Sequence, residues 1–217
     1  YMRIDKDSYG TIARIWLLAI IAIILLLWLV KLKAVSVPLS VALFVFMVFV
    51  TWFHRVPQRS CTVADGTVVS AADGKVVFVD KVYEKEYLKK ECIKVSVYMD
   101  FFNVHANFWP MSGEISYYQY HPGRYLLAFL PKASELNEHA STAIRNAHGE
   151  ILFKQIAGTF ARRIVCYSEK GAVVECGKQC GIIKFGSRLD MFLPLDADIK
   201  VKVGDVTKAA ETVIATL

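Results

Sequence analysis

Two long apolar runs occupy the first quarter of the chain, and short alternating segments fill the remainder. Residues 15–30 read IWLLAIIAIILLLWLV and residues 37–53 read VPLSVALFVFMVFVTWF, neither with a charge. Beyond residue 60 the rhythm changes. TVVSAADGKVVFVDKV, IKVSVYM, GEISYYQY, EILFKQIAG, RRIVCYS and DMFLPL are β-branched or alternate between apolar and polar, and most end at turn residues. Such stretches predict strands. The helical signals are short, one over 157–163 and one near Ser134. The pattern therefore predicts a compact α+β, β-rich domain over 60–217 with a mixed sandwich or barrel-like core. A membrane-anchoring hydrophobic hairpin over 1–59 precedes it.

Each apolar run is slightly shorter than the roughly 20 helical residues that a hydrocarbon core of about 30 Å requires. Flanking residues, local thinning and snorkelling Lys or Arg can close that gap. Trp16, Trp28 and Trp52 lie near the run ends, where amphipathic rings favour the interface. The linker KLKAVS is short, so both ends of the hairpin fall on one side. Arg3, Lys6, Arg14, Arg55 and Arg59 flank that side, against Lys31 and Lys33 in the turn. The positive-inside bias then predicts an inner-membrane protein with its termini and the following domain cytoplasmic. A hairpin that spans the bilayer and one that enters a single leaflet both fit these lengths. A cleaved signal peptide fits less well, because a second apolar run follows without a small-residue cleavage site.

Composition narrows the function classes. Hydrophobic residues make up 55% of the chain and charged ones 21%, which excludes a disordered, highly charged protein. The net charge of +6 suggests nucleic acid until it is mapped. Residues 1–59 hold seven Lys/Arg against two Asp, while residues 60–217 hold nineteen against eighteen Asp/Glu. The excess borders the apolar runs, where it meets anionic headgroups, and no nucleic-acid partner is expected. Cys61, Cys92, Cys166, Cys176 and Cys180 have no zinc-finger spacing, so no metal site is expected. Reduced thiols in a cytoplasmic domain are the expectation. GAVVECGKQCGIIKFG and VKVGDVTKAAETVIATL each place a hydrophobic strand after glycine, like lipoyl-type hairpins. No Met-Lys-Met marks a swinging arm.

Three clusters carry candidate chemistry. Asp73 lies in SAADGKV, where Asp-Gly by itself signals a turn. His105 lies in MDFFNVHANFWPMSG, an aromatic neighbourhood with Asp100 nearby. Taken alone it reads better as a satisfied core residue, although an apolar setting with a carboxylate nearby is also how an imidazole is tuned as a base. Gly186-Ser187 lies in KFGSRLDMFLP, between strand-like segments where such a pair usually marks a bulge or turn. An Asp, a His and a Ser in this order are a weak signal until geometry joins them.

Taken together, ADG at 72–74, DFFNVHANFWPMSG at 100–113, QIAG with ARRIV at 155–165 and GIIKFGSRLDMFLP at 181–194 resemble the phosphatidylserine decarboxylase family. The likeness is to its short form, with Gly-Ser-Arg in place of Leu-Gly-Ser-Thr. FGSRLD is the most specific of these motifs.

The resemblance implies a pyruvoyl-dependent proenzyme that cuts itself between Gly186 and Ser187. His105 would take the Ser187 proton, Asp73 would orient and charge-stabilise His105, and the oxygen would attack the Gly186 carbonyl. The ester would then eliminate, and loss of ammonia would leave a covalent pyruvoyl cofactor. A β chain, 1–186, and an α chain, 187–217, would remain together, with a homodimer as the expected assembly. Such a ketone supplies the electron sink that amino-acid decarboxylation needs. The implied reaction turns phosphatidylserine into phosphatidylethanolamine and CO2 at the membrane surface. Phe101, Phe102, Phe108 and Trp109 are candidates for an apolar wall or for ordinary core. A second family histidine, assigned to decarboxylation, is replaced here by Phe102. His105, a water or His121 are the substitutes to consider. The alternatives from other classes are a membrane-anchored β-domain scaffold or adaptor, and a hydrolase using Ser187, which lacks a Gly-x-Ser-x-Gly elbow.

Overall fold

The computed structural model describes residues 2–124, 136–158, 164–183 and 187–217. Two compact units are present, Tyr1–Pro57 and Gln58–Leu217. In the first, strand β1 (Met2–Ile4) pairs antiparallel with β2 (Arg55–Pro57), bracketing helices α1 (Tyr9–Leu29) and α2 (Lys33–Phe53). Both helices extend beyond the uncharged runs. At 21 residues each they reach about 31 Å, enough for a hydrocarbon core. Trp16 Nε1 donates to Thr51 Oγ1 at 3.0 Å, tying one helix to the other through a polar contact. Leu17, Leu18, Trp28, Val41 and Val45 are exposed, as expected where lipid is the partner.

The second unit is built from β3 (Thr67–Val69), β4 (Gly74–Glu84), β5 (Lys90–Met99), β6 (Ala106–Phe108), β7 (Gly113–His121), β8 (His139–Asn146), β9 (Gly149–Ala157) and β10 (Ile164–Cys166). The chain continues through β11 (Val173–Val174), β12 (Gln179–Ile183), β13 (Ser187–Leu193), β14 (Asp198–Ile199), β15 (Val206–Thr207) and β16 (Val213–Thr216). Eight strands form one sheet in the order β11-β7-β8-β9-β13-β5-β4-β15, and two three-stranded sheets, β10-β12-β6 and β14-β16-β3, complete the unit. The large sheet is antiparallel throughout. The result is the β-rich α+β domain that the alternation predicts.

Strand periodicity sorts side chains between two faces. Val95, Val97, Met99, Leu189, Met191, Leu193 and Phe153 enter the main core, together with Val68 and Ile214 from the small sheets. Cys92, Leu152 and Phe192, on the intervening positions, form a separate cluster on the other face. Gly74 permits the close approach of β4 to β5, since a Cβ there would lie 2.2 Å from the Tyr98 carbonyl oxygen.

Two expectations change. Ala157, the proposed start of a helix, ends strand β9, while residues 159–163 and Ser134 lie outside the described residues. The cysteines are not all reduced, because Cys61 and Cys176 form a disulfide across 115 residues. Sequence spacing cannot reveal a pair brought together by the fold. Cys92, Cys166 and Cys180 are free, and burial raises the thiol pKa of each.

Candidate active site

Ser187 opens β13 with Met99 of β5 on one side and Ala157 of β9 on the other. It is fully buried. Because it shares the strand face of Leu189 and Met191, its side chain belongs to the apolar side of the sheet. Its Oγ lies 3.6 Å from Met99 Sδ. Asn107 Nδ2 approaches the same sulfur at 3.7 Å, and Gln155 Nε2 donates to Asn107 Oδ1 at 2.8 Å. A thioether and two amides thus furnish an uncharged, buried lining. A Cβ on Gly181 would lie 2.9 Å from Gln155 Nε2 and 2.2 Å from the Val165 carbonyl oxygen, so this strand position needs glycine.

His105 immediately precedes β6 and is buried. Its Nδ1 lies 3.1 Å from the Asn103 carbonyl oxygen. Its own carbonyl oxygen accepts from Ile183 N at 3.2 Å. That bond fixes the end of β12 against the histidine, and only residues 184–186 separate Ile183 from Ser187. Gly186 lies outside the described residues. The chain is thus anchored on both sides of the expected cut, by His105 before it and by the Met99 and Ala157 pairings after it.

Asp73 occupies the bend before β4. Its carboxylate accepts from Arg59 at 2.8 and 3.1 Å and from Ala209 N at 2.8 Å. Arg59 also bonds Glu211. The backbone bond from Phe108 N to Ala71 O, 2.9 Å, fastens the bend to the strand that follows His105. Lys75 and Arg188 both pair with Tyr98. Asp73 and Ser187 therefore stand at one end of the sheet, on backbones two strand spacings, about 10 Å, apart. The fold brings the three candidate segments to this end.

The aromatic wall divides. Phe108 and Trp109 are core, with Trp109 packed edge-on against Phe153 at 6.0 Å between centroids. Phe102 is 72% exposed and Phe101 38%, on a turn in which Asp100 Oδ1 accepts from Phe102 N and Asn103 N. His121, a substitute considered for the missing family histidine, sits on the opposite face of the sheet from Ser187, bonded to Glu86 at 2.7 Å. The strand parity of β7 puts it there.

Sequence reasoning missed Arg59 as the partner of Asp73, and Met99 and Asn107 as neighbours of Ser187. Gln155 belongs to the QIAG motif, but nothing in the motif discloses its amide contact. Cys61, two residues after Arg59, is bonded to Cys176, so the segment that carries the arginine is covalently fastened to the turn leading into β12.

A family model described as phosphatidylserine decarboxylase matches residues 46–215. A phosphatidylserine decarboxylase proenzyme of Amoebophilus asiaticus is 43% identical over 186 residues, 85% of this chain and 83% of that protein. One from Porphyromonas gingivalis is 37% identical over 220 residues, covering 100% of this chain and 99% of its own. One from Syntrophus aciditrophicus is 45% identical over 169 residues, 77% of this chain and 79% of that protein.

Proposed function

The chain belongs to the phosphatidylserine decarboxylase family, and on that footing we propose that it converts phosphatidylserine to phosphatidylethanolamine and CO2 through a pyruvoyl group made from its own Ser187. The relatives' shared name, proenzyme, agrees with a chain that processes itself. The observation that carries the reading is the double anchorage around the Gly186–Ser187 bond, with His105 at one anchor and a buried Ser187 at the other.

In this reading His105 removes the Ser187 Oγ proton. The oxygen bonds to the Gly186 carbonyl carbon while the peptide C–N bond breaks, giving an ester. Loss of the Ser187 α-hydrogen then breaks the ester C–O bond and releases Gly186 as a carboxylate. Water replaces nitrogen at the remaining unsaturated residue, and ammonia departs. Asp73 stabilises the imidazolium formed at the first step, and Arg59 fixes the carboxylate in place.

The surroundings suit the product. A pyruvoyl group is no larger than the serine it replaces, and the Met99 thioether beside Ser187 is uncharged. That ketone supplies an acceptor for the electron pair left when CO2 departs. A buried setting disfavours the charged carboxylate of the substrate relative to neutral CO2.

Two helices long and apolar enough to cross a membrane accompany the domain, in keeping with a lipid substrate. The flanking arginines and lysines favour a cytoplasmic catalytic domain, whereas a disulfide such as Cys61–Cys176 persists in oxidising compartments. Labelling by a membrane-impermeant reagent after reduction decides between the two sides.

The function is tested with purified protein in mixed micelles containing phosphatidylserine. Wild-type protein should release CO2 and phosphatidylethanolamine one-to-one, and Ser187→Ala should release neither. Turnover by Ser187→Ala at the wild-type rate would overturn the assignment.

A further inference from the structure

The other face of the large sheet holds a cluster that the decarboxylase reading does not use. Glu86 in the β4–β5 turn, His121 at the end of β7 and His139 at the start of β8 each present a ligand atom, all within 4.8 Å of one another. His121 and His139 are register partners on adjacent strands. Their rings stack at 4.5 Å between centroids.

Each group is already oriented. Glu86 Oε1 accepts from His121 Nε2 at 2.7 Å and from the Tyr117 hydroxyl at 3.1 Å. Its Oε2 accepts from Lys154 Nζ at 2.7 Å and Ser141 Oγ at 3.0 Å. His139 Nδ1 lies 2.7 Å from the Asn137 carbonyl oxygen. A carbonyl only accepts, so Nδ1 carries the proton and Nε2 keeps its lone pair. A backbone carbonyl behind an imidazole is also how ligating histidines are commonly held.

Glu84 and Glu86 share the Lys154 ammonium, which leaves one negative charge over at the carboxylates. A cavity of about 580 Å³ opens beside them, lined also by Lys85, Lys94 and Phe192. Those two lysines weaken the pull on a bare cation and suit a metal that carries an anion or hydroxide in its open position.

We propose that Glu86, His121 and His139 form a binding site for a divalent transition metal, zinc(II) foremost, on the sheet face opposite Ser187. Two imidazoles and one carboxylate with a position open to solvent are a donor set that zinc accepts. The metal takes the place of the hydrogen between His121 Nε2 and Glu86 Oε1, with the His121 ring turning to the tautomer that carries its one proton on Nδ1. Bonds of about 2.0–2.2 Å at the tetrahedral angle require roughly 3.3 Å between these two atoms. His121, with its side chain 35% exposed, has room to swing out by the difference. Lys154 and Ser141 remain on Oε2, and Asn137 remains behind His139.

The test uses full-length protein stripped with chelator, then titrated with zinc chloride by calorimetry and with cobalt(II) by visible absorption. One zinc per chain is expected, and cobalt should show nitrogen- and oxygen-ligand bands without sulfur charge transfer. His121→Ala and His139→Ala should each weaken zinc about tenfold or more, with unchanged circular dichroism. Absence of zinc uptake by wild-type protein would mean a carboxylate–ammonium network only and overturns the proposal. Equal uptake by the double variant, or sulfur charge transfer from cysteine ligands, overturns it as well. The cobalt spectrum of wild-type protein decides even where a variant fails to fold.

Discussion

Alternate residues of one strand, β13, face two different worlds. Ser187, Leu189, Met191 and Leu193 look into the apolar core, with Met99 beside the serine. Arg188, Asp190 and Phe192 look the other way. There Arg188 Nε bonds Asp190 Oδ1 at 2.6 Å, and Lys154 joins Glu84 and Glu86 nearby. Both faces are buried, but they handle polarity differently. Around Ser187 the polar neighbours are uncharged amides. Across the strand, burial pushes the Asp190 carboxyl upward and the Arg188 charge overrides it, leaving the pKa lowered. The difference suggests a division of labour. An uncharged face suits a reaction that makes and discards charge, while the ionic face depends on every partner being present.

That contrast can be broken from either side. On the Ser187 side, His105→Ala and, at the end of the sheet, Asp73→Ala should leave most of the chain uncut, slowing self-cleavage by about a hundredfold or more. Gel analysis of freshly purified protein reads this directly. Wild-type cutting in either variant would remove that residue from the mechanism.

On the ionic face, Lys154→Met should leave Glu84 and Glu86 facing each other without a counter-charge. The expected cost is about 3–5 kcal/mol in urea unfolding, with self-cleavage still complete wherever the variant folds. A loss of cleavage with stability intact would show that the two faces are not separable.

Cys61→Ser probes the join between the arginine-bearing segment and the site. Losing a link across a long loop should cost about 2–4 kcal/mol. Arg59→Ala should retain the link but slow cleavage by roughly tenfold, the scale of an ion pair that positions rather than reacts. If reduction with dithiothreitol leaves thermal unfolding unmoved, the disulfide does not constrain the fold.

The smallest effect is a pH dependence. Glu86 is held at about 2, and Glu84 and Asp190 are also lowered, in each case against a burial effect. A depressed carboxyl stabilises the fold fully above its unfolded pKa and loses that contribution as pH falls toward the folded value. Stability should therefore decline from about pH 4.5 toward pH 2, and Lys154→Met should flatten that decline. An unchanged slope in the variant would separate Lys154 from the titration.

Much of this was legible because strands announce themselves by alternation. GKVVFVDKVYE and SRLDMFL declare two-faced strands, and the apolar runs declare their helices. Strand β8 gave no such signal: apart from Ile144, HASTAIRN is built of small and polar residues, and its strand character follows from lying between β7 and β9. Asp73, His105 and Ser187 could be named because each sits in a recognisable motif. The partners could not be named. Arg59 meets Asp73 only because the chain folds back, and Lys154 meets glutamates some 70 residues away. Cys61 and Cys176 find each other in the same way. Long-range pairs leave no local trace.

The central claim concerns one peptide bond, and intact mass spectrometry of the active protein tests it most directly. The account predicts a large chain ending at Gly186 and a small chain beginning at residue 187, lighter by one ammonia than a serine-initiated chain. Active protein that remains a single 217-residue chain, or whose small chain begins with an unmodified serine, would contradict it.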